Sequence, residues 1–298
     1  MATSLTEFSN GLTSAVENGG ASTVLVDARK RYPASGIALG EDLVLTADHV
    51  VTREDGIKVI LADGKSFDAT IAGRDPGSDL TVLRLPEKVL NPAKTSDMVK
   101  VGQLVLALGR PNSAGVQASW GIVTAISGPT RTFRGGMLDE FIQSETTPYP
   151  GFSGGPLINT EGEVLGLNTS GLTRGSSLTI PVKVAWRTGE ALAQHGTVKR
   201  GYLGVRTQPV EIPEASRQAL KREQVQGLLV LWLEEHGPGE AGGLLVGDIL
   251  VALGEQLLED ADDLFSALGS HTVGQSVPIE VLRGGRPETI AVTVGERK

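Results

Sequence analysis

Gly151-Phe152-Ser153-Gly154-Gly155-Pro156-Leu157, running on as INTEGEVLGLN to Asn168, is the stretch that decides between two architectures. Glycines on both sides of a serine keep the backbone compact, so that peptide N–H groups can turn inward and cradle an oxyanion beside the hydroxyl. Taken alone, the same pattern is an ordinary turn. It also fits the G-x-S-x-G elbow of α/β-hydrolases, which needs a strand before the serine and a helix after it. Here SETTPYP (Ser144–Pro150) precedes the serine, and a proline with the hairpin PLINTEGEVLGLN follows, turning at Glu161-Gly162. The elbow order also requires a histidine after the serine. His195, His236 and His271 are available, each at a helix end or turn among polar neighbours. The stretch therefore reads as part of a β-rich fold.

A serine nucleophile needs a base, and a carboxylate to hold that base. His49 lies near the end of LVLTADHVV (Leu43–Val51), an apolar strand that runs into a polar turn. By itself it reads equally as a partly buried histidine with satisfied hydrogen bonds. Asp79 stands in DPGSDLTVLRL (Asp75–Leu85), at the mouth of another apolar strand, where an aspartate is ordinarily a turn or capping group. Read together, histidine and then aspartate fall in a first β set and serine in a second. That is the chain order of the chymotrypsin type rather than the subtilisin type.

Outward from these residues, Ser22–Leu85 is a series of short apolar runs broken by turns, with Asp63-Gly64 as a hairpin signal. Pro86–Lys94 reads as a linker, and a second β set follows it. Val182–His195 reads as a helix introduced by Pro181 and closed by Gly196. After Gly201, strand-like GLLVLWL and DILVALG alternate with helical stretches at Pro213–Arg222 and Ala261–Leu268, and Gly284-Gly285 closes a last hairpin. The acidic run Glu259–Asp263 reads as a helix N-terminus or as a partner surface.

Length and composition agree with this division. The 298 residues suit two or three modules, 40% hydrophobic content supports buried cores, and 39 glycines with 15 prolines indicate many turns. With no cysteine, a disulfide framework, a thiol nucleophile and a thiolate metal site are excluded. Four histidines never stand at ligand spacing, so no metal or other cofactor is expected. The net charge is −8, of which −6 lies from Arg200 onward, so neither nucleic acid nor an anionic membrane surface is an expected partner. Met1–Gly20 has neither the charged head nor the apolar run of a signal peptide, and no stretch approaches the roughly 20 apolar residues of a membrane span. The expected location is cytoplasmic, or periplasmic or otherwise extracytoplasmic if a targeting segment has been removed.

LTADHVV, DPGSDLTVLRL and GFSGGPLINTEGEVLGLNT resemble the three catalytic blocks of the HtrA (high-temperature-requirement A) family of serine proteases, and HGTVKRGYLGV resembles that family's junction into a PDZ domain. The resemblance runs from about Thr23 to Val294. It implies a mostly β chain: a chymotrypsin-like double six-stranded β-barrel followed by an α+β PDZ domain. The expected divisions are an N-terminal segment 1–20, a protease domain 21–197 with barrels at about 21–90 and 98–187, and a PDZ domain 200–298. His49 matches the family's general base, Asp79 its orienting acid and Ser153 its nucleophile, with the N–H groups of Gly151 and Ser153 as oxyanion hole. Thr147 and Pro148 align with the primary specificity pocket, and neither carries charge.

The segment Tyr202-Leu203-Gly204-Val205 resembles a PDZ carboxylate-binding loop, since glycine between apolar residues lets successive N–H groups face one anion. The strand after it is expected to offer an open edge to C-terminal peptides, with the helix near Ala261–Leu268 walling the groove. Its alternative is an ordinary buried strand in a module that only braces the protease. The family's trimer contacts imply a homotrimer, for which Phe8 is the only aromatic in the N-terminal segment. Phe152 stands where the family has asparagine and pancreatic proteases have aspartate, so activation through a newly cut N-terminus is unavailable, and its bulk is expected to crowd the oxyanion loop. Trp120, also unusual, reads as core, and Tyr149 is unusual as well. The function implied is ATP-independent endoproteolysis of unfolded or damaged proteins. The alternative is a catalytically weak or inactive chaperone or scaffold, against which the complete set of three residues argues.

Overall fold

The apolar runs between Ser22 and Leu85 become six strands in a computed structural model: β1 (Thr23–Asp27), β2 (Ala34–Ala38), β3 (Leu43–Ala47), β4 (Ile57–Ile60), β5 (Ser66–Asp75) and β6 (Leu80–Arg84). They pair antiparallel in the order β1-β2-β3-β6-β5-β4, and β1 also pairs with β4, so the sheet closes on itself and leaves no free edge. The structure describes residues 4–128, 130–132, 137–138, 140–172, 177–197, 201–268 and 272–296. The chain divides into two units, Met1–Val198 and Lys199–Lys298.

The second β set closes a second barrel from β7 (Leu104–Gly109), β8 (Gln117–Ser127), β11 (Phe141–Ser144), β12 (Pro156–Ile158), β13 (Val164–Thr169) and β14 (Leu178–Pro181), in the order β11-β14-β13-β12-β7-β8. A small hairpin, β9 (Thr130–Arg131) with β10 (Met137–Leu138), stands outside that ring. Two α-helices complete this unit among the described residues. The helix expected between Pro181 and Gly196 is α2 (Val182–His195): Gly196 takes φ +77 and returns its N–H to Leu192 O, and the buried Val182, Ala185 and Leu192 face β5 and β6. The other, α1 (Leu5–Gly20), was not anticipated. Ser4 and Glu7 cap it reciprocally, but few of its residues are buried, which leaves little apolar period to read. Arg110, itself buried, ties down its C-terminal end by donating from Nε to Thr23 O at 2.8 Å and from Nη2 to Gly20 O at 3.2 Å.

In the second unit, β15 (Gly201–Tyr202) pairs with β22 (Gly295–Glu296). The main sheet runs β16 (Val205–Glu211), β17 (Gln226–Leu233), β18 (Ile249–Leu253), β20 (Ser276–Arg283), β21 (Arg286–Thr293), with β19 (Gln256–Leu257) beside β18. Helices α3 (Glu214–Leu220) and α5 (Ala261–Ala267) occupy the two stretches expected to be helical, and α4 (Pro238–Gly242) is a further short turn of helix. The acidic run acts locally. Asp260 accepts from the amides of Asp262 and Asp263, and Asp263 accepts in return from Asp260 N. Buried Asp248 is held by the Arg283 guanidinium at 2.7 Å.

Two expectations about aromatic residues change. Trp120 sits on the outward face of β8 and is 62% exposed, not core. Phe152 points the other way. Its side chain is 2% exposed and packs inside the second barrel with Val105, Ala107, Val123, Ile142, Leu157 and Leu165. Tyr149 meets its ring edge-on, with centroids 5.5 Å apart. The bulk expected to crowd the serine loop therefore anchors that loop to the core. Phe152→Ala should lower stability by about 3–5 kcal/mol through the cavity left behind. Denaturant unfolding followed by intrinsic fluorescence measures this, and a loss under about 1 kcal/mol would contradict the anchoring role.

Candidate functional site

Asp79 reaches its place through the turn that DPGSD forms. Asp75 accepts from Gly77 N at 3.2 Å and from Ser78 Oγ at 2.5 Å, and Asp79 then turns through φ +57 before β6 begins. A non-glycine residue in this region costs of order 1 kcal/mol or more, and aspartate is among those that tolerate it. The turned carboxylate is fully buried. Its Oδ1 accepts from the His49 backbone N–H at 2.8 Å, its Oδ2 pairs with His49 Nδ1 at 2.8 Å, and Thr169 Oγ1 donates to the same Oδ2. Three donors around one buried carboxylate compensate its lost hydration. With Nδ1 bound to the carboxylate, Nε2 is the imidazole nitrogen left to act. Gly171 packs on this pair so closely that a Cβ there would lie 2.5 Å from both Asp79 Oδ2 and His49 Nδ1.

Ser153 sits in a tight loop ahead of β12. Gly151 and Gly154 take φ +89 and +86, conformations that side chains other than glycine's rarely allow. The loop is pinned by the other barrel. Fully buried Ser35 on β2 donates from Oγ to Gly151 O at 2.7 Å and from N to Ser153 O at 3.2 Å, while accepting from Arg110 N at 2.8 Å. Phe152 N, Gly154 N and Gly155 N all find backbone acceptors, whereas the N–H groups of Gly151 and Ser153 meet none among the described residues. Ser153 Oγ lies 3.1 Å from Ser170 Oγ and is hydrogen-bonded there rather than to the imidazole.

His49, Gly151, Phe152, Ser153 and Ser170 line one cavity of about 300 Å³. Ala107, Ser144, Thr146, Pro148, Ser177 and Thr179 continue its wall. Of the two residues expected in a specificity pocket, Pro148 lines this cavity. Thr147 does not, because the extended segment alternates: Thr146 faces in, and the Thr147 amide is bound to Ser119 Oγ at 2.6 Å. Arg29 is the arginine among the lining residues, and burial holds its guanidinium below its ordinary value. A serine hydroxyl, an imidazole fixed by a carboxylate and two amides without acceptors among the described residues, around one cavity of mixed polar and apolar lining, are the groups from which acyl transfer can be built. The rival histidines stand elsewhere. His195 ends α2, His236 projects from a turn at φ +59 with its side chain 90% exposed, and His271 lies outside the described residues.

Ser35, Thr169, Ser170, Gly171 and Arg29 were not found from sequence. The one available signal was Ser35, a polar residue inside the apolar run ASGIA, where a buried hydroxyl needs a partner.

In the second unit, Leu203 is buried and Gly204 takes φ +72 between β15 and β16. Their carbonyls accept from Gly239 N and Glu234 N, both at 2.7 Å, whereas their own N–H groups meet no acceptor among the described residues. Tyr202 donates from its hydroxyl to Glu234 at 2.9 Å. Val205 opens β16, which is the terminal strand of its sheet, and α5 packs beside that strand. An extended segment could pair with such an edge.

Comparison with known proteins agrees with both halves. Residues 34–167 match the trypsin-like peptidase domain model and residues 201–294 the PDZ domain model. A probable periplasmic serine endoprotease, DegP-like, of Halomonas elongata is 36% identical over 276 residues, covering 90% of this chain and 57% of the relative. The chain thus spans little more than half the length of such relatives. The solved HtrA-type protease AlgW with tripeptide is 30% identical, at a TM-score of 0.80 over 96% of this chain and 97% of that one. The serine endoprotease from Yersinia pestis is 26% identical, at a TM-score of 0.79 over the whole of both chains. With the double barrel, the edge-strand module and these matches in agreement, the chain belongs to the HtrA family of trypsin-like serine proteases with one PDZ domain.

Proposed function

We propose that the chain is an ATP-independent serine endopeptidase acting on unfolded or damaged proteins, and that its second unit captures peptides by their C-termini. The observation that carries the first half is His49, held by the buried Asp79 carboxylate and lining the same cavity as Ser153. Ser153 Oγ turns from Ser170 toward His49 Nε2, gives up its proton and attacks the scissile carbonyl. The N–H groups of Gly151 and Ser153 receive the developing oxyanion, and Asp79 steadies the imidazolium. His49 then protonates the leaving amine, and a water activated by the same imidazole releases the acyl group.

The names of the relatives support an extracytoplasmic location, in the periplasm, and no described helix is long and apolar enough to cross a membrane. Leu5 and Phe8, exposed on α1, support assembly as a homotrimer through this segment.

Ser153→Ala should lower hydrolysis of denatured casein by about 10⁶-fold, and His49→Ala by nearly as much, because such residues act as a unit. If Ser153→Ala digests casein as the parent does, Ser153 is not the nucleophile.

Specificity follows from the cavity wall. Ala107, Pro148 and Phe152 are apolar, the threonines and serines are uncharged, and Arg29 in the lining opposes a cationic side chain. Cuts should follow valine, alanine or leucine. Mass-spectrometric mapping of the sites checks this, and a majority after arginine or lysine would contradict it.

The carboxylate loop is tested on the full chain carrying Ser153→Ala, by fluorescence anisotropy with one apolar peptide in free and amidated forms. Amidation should weaken binding by about 1.5–3 kcal/mol, the worth of one charge-assisted hydrogen bond. Equal affinities would remove the role of Tyr202–Val205 in carboxylate capture.

A further inference from the structure

Thr169, Ser170 and Gly171, at the end of β13 and just beyond it, touch all three members of the histidine, aspartate and serine set. Thr169 Oγ1 donates to Asp79 Oδ2, and a Cβ on Gly171 would lie 2.5 Å from Asp79 Oδ2 and from His49 Nδ1. Ser170 Oγ lies 3.1 Å from Ser153 Oγ, and both residues line one cavity with His49. The first two contacts hold the carboxylate and the imidazole in place. The third acts differently, because it engages the hydroxyl that has to reach His49.

The backbone on either side of Ser170 is fixed. Gly171 N donates to Thr169 Oγ1 at 2.9 Å, and Thr169 O accepts from Ser177 Oγ at 3.1 Å. Ser170 itself is exposed, and its hydroxyl meets no other partner among the described residues. Its place is therefore set by the strand that carries it and not by packing of its own side chain. Removing the hydroxyl takes nothing from the core.

Ser153 turns about its Cα–Cβ bond between staggered wells. Its backbone does not follow, since Ser153 O is held by Ser35 N at 3.2 Å and the loop by the buried ring of Phe152. Two orientations of one hydroxyl therefore compete, one on Ser170 and one on His49. We propose that Ser170 is a positioning residue that parks the nucleophile away from the imidazole in the resting chain and so slows acylation. The inference rests on the peptidase reading above. It holds for either direction of the hydrogen bond. If Ser153 donates, its proton points away from His49 Nε2. If Ser153 accepts, a lone pair needed for attack on the carbonyl is occupied. A net hydrogen bond between neutral hydroxyls biases such an equilibrium by a factor of about five, and only the minor orientation reacts.

The test compares Ser170→Ala with the parent in two reactions that need Ser153 to leave its parked position. One is cleavage of an internally quenched peptide. The other is labelling by a fluorophosphonate, in which Ser153 Oγ bonds to phosphorus, fluoride leaves and the proton passes to His49. Ser170→Ala should raise kcat/KM and the labelling rate constant together, by about fivefold. Ser170→Thr, which keeps a hydroxyl at that place, should lose most of the gain. The gain should be the same at every pH across the rise of kcat/KM. The ionisable groups around the cavity are Arg29, His49 and Tyr149, with Asp79 behind the imidazole, and Ser170 Oγ bonds to none of them among the described residues. Equal or slower reaction of Ser170→Ala would overturn the proposal. So would a gain that comes with a shifted midpoint of the pH profile, since that places the effect on His49. No labelling and no cleavage by the parent would instead overturn the peptidase reading, and the parking with it.

Discussion

The hydroxyl of Ser35 is the point on which the serine loop depends. Fully buried on β2 of the first barrel, it accepts from Arg110 N and donates to Gly151 O, while its own amide binds Ser153 O. The loop it holds belongs to the second barrel. A net hydrogen bond contributes only about 1 kcal/mol, but leaving a buried carbonyl unpaired costs about 1–3 kcal/mol. The asymmetry is what fixes the loop. With Gly151 O and Ser153 O both committed to Ser35, the peptides that carry these two carbonyls are fixed, and the amides of Gly151 and Ser153 meet no acceptor among the described residues. The conformation that frees these two donors is therefore a property of two docked barrels and not of the GFSGG sequence alone.

The carboxylate of Asp79 makes the same kind of bridge in the other direction. It stands at the start of β6 in the first barrel, holds His49 from the end of β3, and receives Thr169 Oγ1 from the end of β13 in the second. A buried ion with a missing donor is costly, so the barrel interface is specified polar group by polar group. Gly171 reinforces this by its lack of a side chain: the chain passes where any Cβ would sit 2.5 Å from both members of the pair. The imidazole thus has little freedom, while Ser153 Oγ, bound to Ser170 Oγ, retains a rotation.

The histidine, aspartate and serine brought near one cavity are legible in the sequence as candidates, because His49 follows one apolar run, Asp79 opens another and Ser153 lies between glycines, in an order that few folds share. Both barrels and the edge-strand sheet are likewise legible, because short alternating runs separated by Asp63-Gly64, Glu161-Gly162 and Gly284-Gly285 are a local signal. What escapes is what only tertiary contact creates. Thr169 and Ser170 carry no distinguishing neighbours, and α1 buries so little that its period is weak despite the Ser4–Glu7 cap. Phe152 and Trp120 exchange places for the same reason. Phe152 leaves a loop and enters the core, and Trp120 lies in a strand yet faces outward, so neither direction follows from the residue type.

The placement of Phe152 shows how an apolar residue can stabilise a polar loop from the core. Asparagine or aspartate at that position would ask for hydrogen-bond partners inside the loop. Phenylalanine asks only for area, and it finds that area among Val105, Ile142 and Leu157, with Tyr149 set edge-on against it. Burial of such a ring is worth about 1.5–3 kcal/mol and is nearly indifferent to small rotations of the peptide planes around it. The position of the loop is therefore set by packing from below, and two of its carbonyls by Ser35 from the neighbouring barrel. The serine loop is thus held twice, by an apolar ring packed into its own barrel and by a polar side chain reaching across from the other.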